Sequence, residues 1–236
     1  MQQVPARPSP VIDGTLTPFS AHALPLPRTL SHLPLFPLGT VLFPGGVLPL
    51  RIFEVRYLHM VARCHQRSEP FGVVALQHGS EVRRPGQPPP VLHGCGTLAR
   101  ITALHAPQPG LLLAQCEGGQ RFRLHAWRQQ PDGLWTGDVS LLDPDRATPI
   151  PPDLASLADA LRHALELPES PHQPAHGAPA PELFQDAGWV ANRWCERLPL
   201  PLTQKQQLMA LDNPLVRLEL ISDLVTLALG AAGRRP

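Results

Sequence analysis

Cysteine and histidine are the residues with which this chain could do chemistry, and their spacing decides little in favour of any reaction. There are four cysteines, Cys64, Cys95, Cys116 and Cys195, and 11 histidines. Cys64 and His65 are neighbours, but successive residues of a helix point in different directions, so they cannot form a nucleophile–base pair with each other. A hydrolase built on Cys95 or Cys116 would need a histidine brought from elsewhere in the fold, and nothing in the spacing favours one. No cysteine pair has the C-x-x-C spacing, and the expectation is four buried free thiols in a reducing compartment. His172 and His176 stand four apart, as two ligands on one helical face would, but Pro171 and Pro174 break that helix, and an exposed loop is expected there. Gly94-x-Gly96-x-x-Ala99 imitates a dinucleotide fingerprint, yet a strand follows it where a helix N-terminus would have to receive the pyrophosphate. The phosphate cradle, the nucleophile elbow and the paired-histidine zinc motif have no counterpart. Lys205 is the single lysine among 20 basic residues. The sequence therefore assigns no catalytic residue, no metal and no cofactor.

A second constellation is basic. Arg121, Arg123 and His125 alternate along one strand, with Arg100 and Arg128 near it in sequence, and such a strip meets phosphates or acidic peptides. The alternative is an ordinary solvated strand face. Composition weighs for the latter: net charge is +1, and aromatic residues for base stacking are limited to seven Phe, four Trp and one Tyr, whereas nucleic-acid footprints are strongly basic. RNA binding, centred on Arg121 and Arg123, stays as the alternative function.

The chain has 236 residues, 43% of them apolar, enough to bury a sizeable core. The near-neutral balance excludes an acidic tail or a polybasic membrane anchor. No apolar run reaches the ~18–20 residues that span a bilayer. The first 28 residues lack a continuous apolar region and a small-residue cleavage site, so they do not make a signal peptide, and a cytoplasmic location is expected. Prolines number 31, far above the usual proportion of about 5%, and they cluster in linkers and turns.

The elements that would position these residues fall into three stretches. Residues 1–30 read as a Pro-rich disordered leader. Residues 31–143 read as strands: 33–38, 47–53 and 71–76, then a meander over 96–104, 111–117, 120–127 and 134–142. Gly118-Gly119 is expected as a two-residue hairpin turn, and in 120–127 Phe122, Leu124 and Ala126 point away from the basic strip. Prolines in the first two strands mark edges or bulges. Between strands two and three, 54–67 reads as a helix with an apolar stripe at Tyr57, Leu58, Val61 and Cys64. The pattern predicts a small antiparallel β-barrel with one inserted helix. Asp143-Pro144-Asp145 marks a turn or linker. Residues 150–230 read as a bundle of four helices around a flexible loop at 168–181. Asp153 is expected to cap the first, whose stripe is Leu154, Leu157, Ala158, Leu161 and Leu165. The second covers 182–197, with Leu183 and Val190 on its apolar face. Thr203-x-x-Gln206 is a capping box for the third. Asn213-Pro214 opens the fourth, with Leu215, Leu218, Ile221, Val225 and Ala228 along it and Gly230 at its end.

The most specific signal is the run Leu33-Pro34-Leu35-Phe36-Pro37-Leu38, Val41-Leu42-Phe43-Pro44-Gly45, Leu48-Pro49-Leu50-Arg51-Ile52-Phe53-Glu54, Arg56-Tyr57 and Met60-Val61. It resembles the opening of the N-terminal, substrate-binding domain of the Lon ATP-dependent proteases. Gly96-Thr97-x-Ala99-x-Ile101, Gly119-x-Arg121-Phe122-Arg123, Lys205-Gln206-x-Leu208-Met209 and Asn213-Pro214-x-x-Arg217-Leu218 continue the resemblance in order. It implies an α+β fold, a PUA-like β-barrel followed by a helical bundle. It also implies a non-catalytic module that engages unfolded or extended polypeptide. Arg51 departs from the family's usual His. The chain stops where the ATPase module would begin, and the protease's Ser–Lys dyad has no match, so the expectation is a stand-alone binding domain, an adaptor or regulator of proteolysis that meets a protease or chaperone.

The Pro-bearing strands also carry a physical expectation. Strands that cannot complete a ladder leave a sheet edge open, and an open edge flanked by apolar side chains accepts an extended peptide by strand addition. Phe36, Phe43, Phe53 and Tyr57 are the candidate lining of such a groove. The alternative places them in the core, most of all Phe53 and Tyr57. Glu54 is expected to serve the first turn of its helix.

Overall fold

A computed structural model describes residues 28–80, 89–166 and 179–232, with side chains up to residue 227. His172 and His176, most of the expected leader and most of the 168–181 loop lie outside the described residues. The fold is mixed α+β, six strands followed by helices. Strand β1 covers Thr29–Leu38, β2 Val47–Ile52, β3 Phe71–His78, β4 Val91–Gln108, β5 Leu111–Gln129 and β6 Trp135–Leu141. β1 thus begins two residues inside the stretch expected as leader. Helix α1 is Val55–Arg67, α2 Ala155–Glu166, α3 Ala187–Arg197, α4 Leu202–Ala210 and α5 Pro214–Ala232.

The sheet order is β2-β5-β4-β3-β1-β6, and β6 also pairs with β5. The pairings therefore run from β5 through β4, β3, β1 and β6 back to β5. Inside that ring lies a cluster drawn from all five strands: Leu33 and Leu35, Val74 and Leu76, Leu92 and Leu98, Phe122 and Leu124, Trp135 and Val139. A second cluster packs on the outside, where Phe36, Leu38, Leu50, Ile52, Phe71 and Val73 meet Tyr57, Met60, Val61 and Cys64 of α1. β1 and β3 are thus buried on both faces, which is why they read as continuous apolar runs rather than alternating ones.

Two expectations about the strands are corrected. The sheet is not wholly antiparallel: β1 pairs with β3 in parallel, Leu35 opposite Gly72 to Leu38 opposite Ala75. The connection between them passes through β2 and α1, and such a long crossover is what parallel neighbours require. Nor do Gly118-Gly119 turn the chain. β5 is one unbroken strand, and the hairpin lies at Pro109-Gly110, with Gly110 at φ +79°. Gly118 is glycine because the loop 39–46 presses against it. The Gly45 N–H donates to the Gly118 carbonyl at 2.7 Å, the Gly118 N–H donates to the Gly46 carbonyl at 2.8 Å, and a Cβ at Gly118 would collide with the Phe43 carbonyl.

Helices α2–α5 pack around two apolar clusters. One joins Leu154, Leu157, Ala158 and Leu161 to Phe184, Val190 and Leu218. The other sets Val41, Phe43 and Ala75 of the strand region against Cys195, Leu208, Met209 and Ile221. The expected helix 182–197 is broken in two. A 3-10 turn, Pro181–Gln185, precedes α3, and Asp186 caps α3 by accepting from the Trp189 N–H at 2.7 Å. Leu183, ahead of the break, is exposed. Asp153 does not cap α2; it sits in a 3-10 turn, Pro152–Leu154, that leads into it. The Thr203/Gln206 capping box does not form either. Pro201 precedes α4, and the Gln206 side chain turns inward, donating to the Cys95 carbonyl at 2.8 Å. Asn213 does cap α5, with Oδ1 accepting from the Leu215 and Val216 N–H groups. That helix continues two residues past Gly230.

Candidate functional site: a cleft between two strand edges

β1 changes neighbours along its length. Thr29 to Leu35 pair with β6, and Leu35 to Leu38 pair with β3. Past Leu35, no described strand lies on the side that β6 has left. β2 pairs with β5 alone, from Val47 opposite Glu117 to Ile52 opposite Leu112. The two open edges border a cleft of about 270 Å3 lined by Phe36, Leu38 and Thr40 on one side, Leu48 to Glu54 on the other, and Tyr57 at its base.

Proline explains why β2 stops the sheet. The hydrogen bond from the Gly118 N–H to the Gly46 carbonyl places Gly46 in a hydrogen-bonded pair with β5. By alternation Leu48, Leu50 and Ile52 also turn their backbone groups to β5, and Val47, Pro49 and Arg51 turn theirs to the open side. Pro49 therefore lacks only a donor that β5 would not have used, and its ring blunts the free edge.

The floor is aromatic. The Phe36 ring lies 4.1 Å from that of Tyr57 and 6.2 Å from that of Phe71, centroid to centroid. Phe36 and Tyr57 are buried, whereas Phe53 at the rim is 58% exposed. Val55, at the start of α1, is 65% exposed. Glu54 does not cap α1 with its side chain. Its Oε2 accepts from Arg56 at 2.8 and 3.1 Å, and Arg56 also donates to the Gly133 carbonyl at 2.8 Å. The guanidinium lies 4.6 Å from the centroid of the Tyr57 ring. This pairing ties the start of α1, and with it Tyr57, to the turn before β6.

The structure thus brings Phe36, Phe53 and Tyr57 to one cleft and sets Phe43 apart. Phe43 is wholly buried in the cluster under α3, α4 and α5, because the loop that carries it folds back beneath the helices. The basic strip is also dismantled. Arg123 and His125 are exposed, but Arg121 is 3% exposed. It donates to the Met209 and Leu211 carbonyls at 2.9 and 2.8 Å and pairs with Asp145 at 3.1 Å. Strand alternation told which face Arg121 occupies; it could not tell that the α4–α5 connection covers that face. Ala126 is exposed where Phe122 and Leu124 are inside, since the β5–β6 register shifts between Leu124 and Ala126.

Asp145 and Arg217 form a structural ion pair that the sequence spacing does not signal. Asp145, in the expected linker, accepts from Arg121 and from Arg217 and so pins the strands to α5. The only signal for Arg217 was its place in the resemblance. Burial raises all four thiols, Cys116 and Cys195 to about 12, which disfavours the thiolate form. Gly94 and Gly96 lie within β4, where no helix follows. Among the described residues no group of three or more His, Cys, Asp or Glu side chains could hold a metal ion, and no helix is long and apolar enough to cross a membrane.

Residues 32–226 match the family model of the ATP-dependent protease La (LON) substrate-binding domain. The chain is 27% identical to the Lon protease of Anaeromyxobacter dehalogenans over 199 residues, 82% of this chain and 23% of that protein. It is 30% identical to protein cereblon of Danio rerio over 130 residues, 52% of this chain and 28% of that one. It spans about a quarter of the length of these curated relatives. Among solved structures, a Lon N-terminal domain protein from Xanthomonas campestris superposes with a TM-score of 0.64 at 32% identity, covering 82% of this chain and 98% of that one. The N-terminal domain of a Mycobacterium avium complex Lon protease shares the fold, with a TM-score of 0.51 at 18% identity, over 81% of this chain and 96% of that chain. The chain belongs to the Lon substrate-binding domain family.

Proposed function

We propose that this protein binds polypeptide without catalysing a reaction on it, and that an extended segment lies in the cleft between β1 and β2. Two unpaired strand edges that face each other across the Phe36–Tyr57 floor carry this reading. An extended chain can offer its N–H and C=O groups to Val47 and Arg51 and lay alternate side chains on the aromatic floor. The exposed Phe53 adds apolar surface at the rim of the cleft. The closed run of strands is read as a small PUA-like barrel, the strand region 31–143 as one unit and 150–230 as a helical bundle beside it. Membership of a substrate-binding family supports a polypeptide partner. The biological role that fits is an adaptor or regulator of proteolysis, delivering or withholding chains from a protease or chaperone.

Fluorescence anisotropy with a labelled, permanently unfolded polypeptide tests this. A folded control and a short RNA run alongside, each at two salt concentrations. The expected result is preferential binding of the unfolded chain that survives salt and weakens in Phe53→Ala. Equal binding of folded and unfolded chains, or none, overturns the reading.

A further inference from the structure

The two walls of the cleft are joined by a single loop, residues 39–46, and the attachments of that loop come from two sources. The strands hold it through the Thr97 hydroxyl, which donates to the Leu42 carbonyl at 2.6 Å, and through the Gly45/Gly46 ladder to Gly118. Among the described residues, the helices hold it by the apolar packing of Val41 and Phe43 against Cys195, Leu208, Met209 and Ile221, and by hydrogen bonds through one side chain, Arg193 of α3. Its guanidinium donates to the Pro44 carbonyl at 2.9 Å and to the Gly45 carbonyl. The same guanidinium donates to Glu196 Oε1 at 2.9 Å, and both side chains of the pair are largely buried, 9% and 13% exposed. Gly46 has no room for a Cβ, which would collide with Glu196 Oε1. The carboxylate therefore sits directly under the tip of the loop.

We infer that Arg193 and Glu196 form a charge-dependent latch through which the helices set the spacing of the two cleft walls. They are positioning residues: neither lines the cleft, and both act through the loop that connects β1 to β2. The inference rests on the reading of the cleft as the polypeptide site. A buried guanidinium is tolerated because a carboxylate compensates it. When Glu196 loses its charge, the Arg193 fork keeps only neutral acceptors, and the cost of holding it inside is no longer offset. It then exchanges toward solvent, the loop tip is released, and the walls sample wider spacings, which lowers the fraction of molecules ready to bind.

The groups that face Glu196 are few. On α3 they are Arg193 and Arg197, with the Cys195 thiol beside them, and on α4 Lys205, whose ammonium donates to the Glu196 carbonyl at 3.0 Å. Glu117 of β5 faces Arg193, and the loop presents only backbone. Burial outweighs these three cations and pushes the Glu196 carboxyl up to about 7. The latch therefore switches within the neutral range.

Two measurements on the full chain, wild type and Glu196→Gln, test it. In the first, amide signals are followed by nuclear magnetic resonance from pH 8 to pH 6. Gly45, Gly46, Leu48, Leu50 and Ile52 are expected to shift together with one midpoint near 7 in the wild type. In Glu196→Gln they stay flat, at positions near those of the wild type at pH 6. Signals of the loop that do not titrate, or that titrate without the β2 residues, overturn the latch whatever the protein binds. In the second, unfolded-polypeptide affinity is measured over the same range. A several-fold loss from pH 8 to pH 6 in the wild type, absent in Glu196→Gln, supports the latch as a control of binding. Binding that is equal at both pH values overturns that control. Titration of the cleft without polypeptide binding at any pH leaves the latch standing and removes the polypeptide reading.

Discussion

Arg217 of α5 donates to Asp145 Oδ2 at 2.6 Å, and this contact joins the last helix to the segment that leaves the last strand. Arg217 is 1% exposed, and its other donors reach the Asn192 amide oxygen and the Leu208 and Leu211 carbonyls. Arg121 meets the same carboxylate from the strand side. One aspartate thus pairs with two buried guanidinium groups contributed by opposite parts of the fold, and Arg121 also reaches Asp212 at 3.4 Å.

Removing that carboxylate leaves two buried cations without it. Asp145→Asn is expected to destabilise the protein by about 3–5 kcal/mol, the usual cost of breaking a buried pair by deleting one partner. Urea unfolding followed by circular dichroism measures it. A loss under about 1 kcal/mol would show that the carbonyls around Arg121 and Arg217, with Asp212 beside Arg121, suffice.

The glycines separate into those that backbone approach requires and those it does not. Gly118→Ala drives a Cβ into the Phe43 carbonyl, whereas at Gly94 nothing lies within 4 Å. Gly118→Ala is expected to unfold well below the wild-type midpoint. Gly94→Ala is expected to be neutral or to gain about 0.4–1 kcal/mol through the unfolded chain. Thermal melts of the two variants side by side give the comparison, and equal midpoints would contradict the packing of the loop against β5.

Aromatic residues of the cleft should divide into binders and supports. Phe53, largely in solvent, should give Phe53→Ala a stability within about 0.5 kcal/mol of wild type and a weaker affinity for unfolded polypeptide. Phe36→Ala and Phe43→Ala each empty a buried site and should lose about 3–5 kcal/mol. Only the first of those two borders the cleft, so at matched folded fraction Phe36→Ala should lose affinity directly, whereas Phe43→Ala acts only through the 39–46 loop. Chemical denaturation and anisotropy on the same samples separate the two effects.

Glu196 gives stability a pH dependence of definite sign. Its folded value is raised to about 7, above that of an unfolded glutamate near 4.3, so the folded state binds the proton more tightly. The associated stability is fully present below the unfolded value and is lost as pH rises through 7. Wild type should therefore gain up to about 3 kcal/mol relative to Glu196→Gln between pH 8 and pH 4.5. Parallel pH profiles for the two proteins would refute the shift. The ionised carboxylate is thus costly to the fold as a whole, even though it holds the loop.

Much of the fold was legible in local patterns. α1 was expected at 54–67 and is found at Val55–Arg67, because its apolar stripe and its flanking strands left little freedom. The Asn213 cap and the Leu154–Leu161 stripe are equally local and were read correctly. The break at Asp186, the inward turn of Gln206 and the straight run of β5 through Gly118 were not legible. In each case a partner distant in sequence outcompetes the local preference: the Thr148 N–H also donates to Asp186, the Cys95 carbonyl accepts from Gln206, and the loop tip presses on Gly118.

The same division holds for the site. Proline in β2 by itself marked that strand as an edge, because a missing N–H is a covalent fact independent of what surrounds it. β1, also expected as an edge from its prolines, is paired on both sides, and its open side begins only where β6 leaves it past Leu35. The family, and the apolar character of Phe36, Phe53 and Tyr57, were also present in the residues. Only the tertiary structure decided that the two open edges face each other, that Phe43 lies under the helices and that Arg121 is enclosed. Alternation assigns a side chain to one face of a sheet. What covers that face is set by contacts between residues far apart in the chain, such as Arg193 with Gly45 and Arg217 with Asp145.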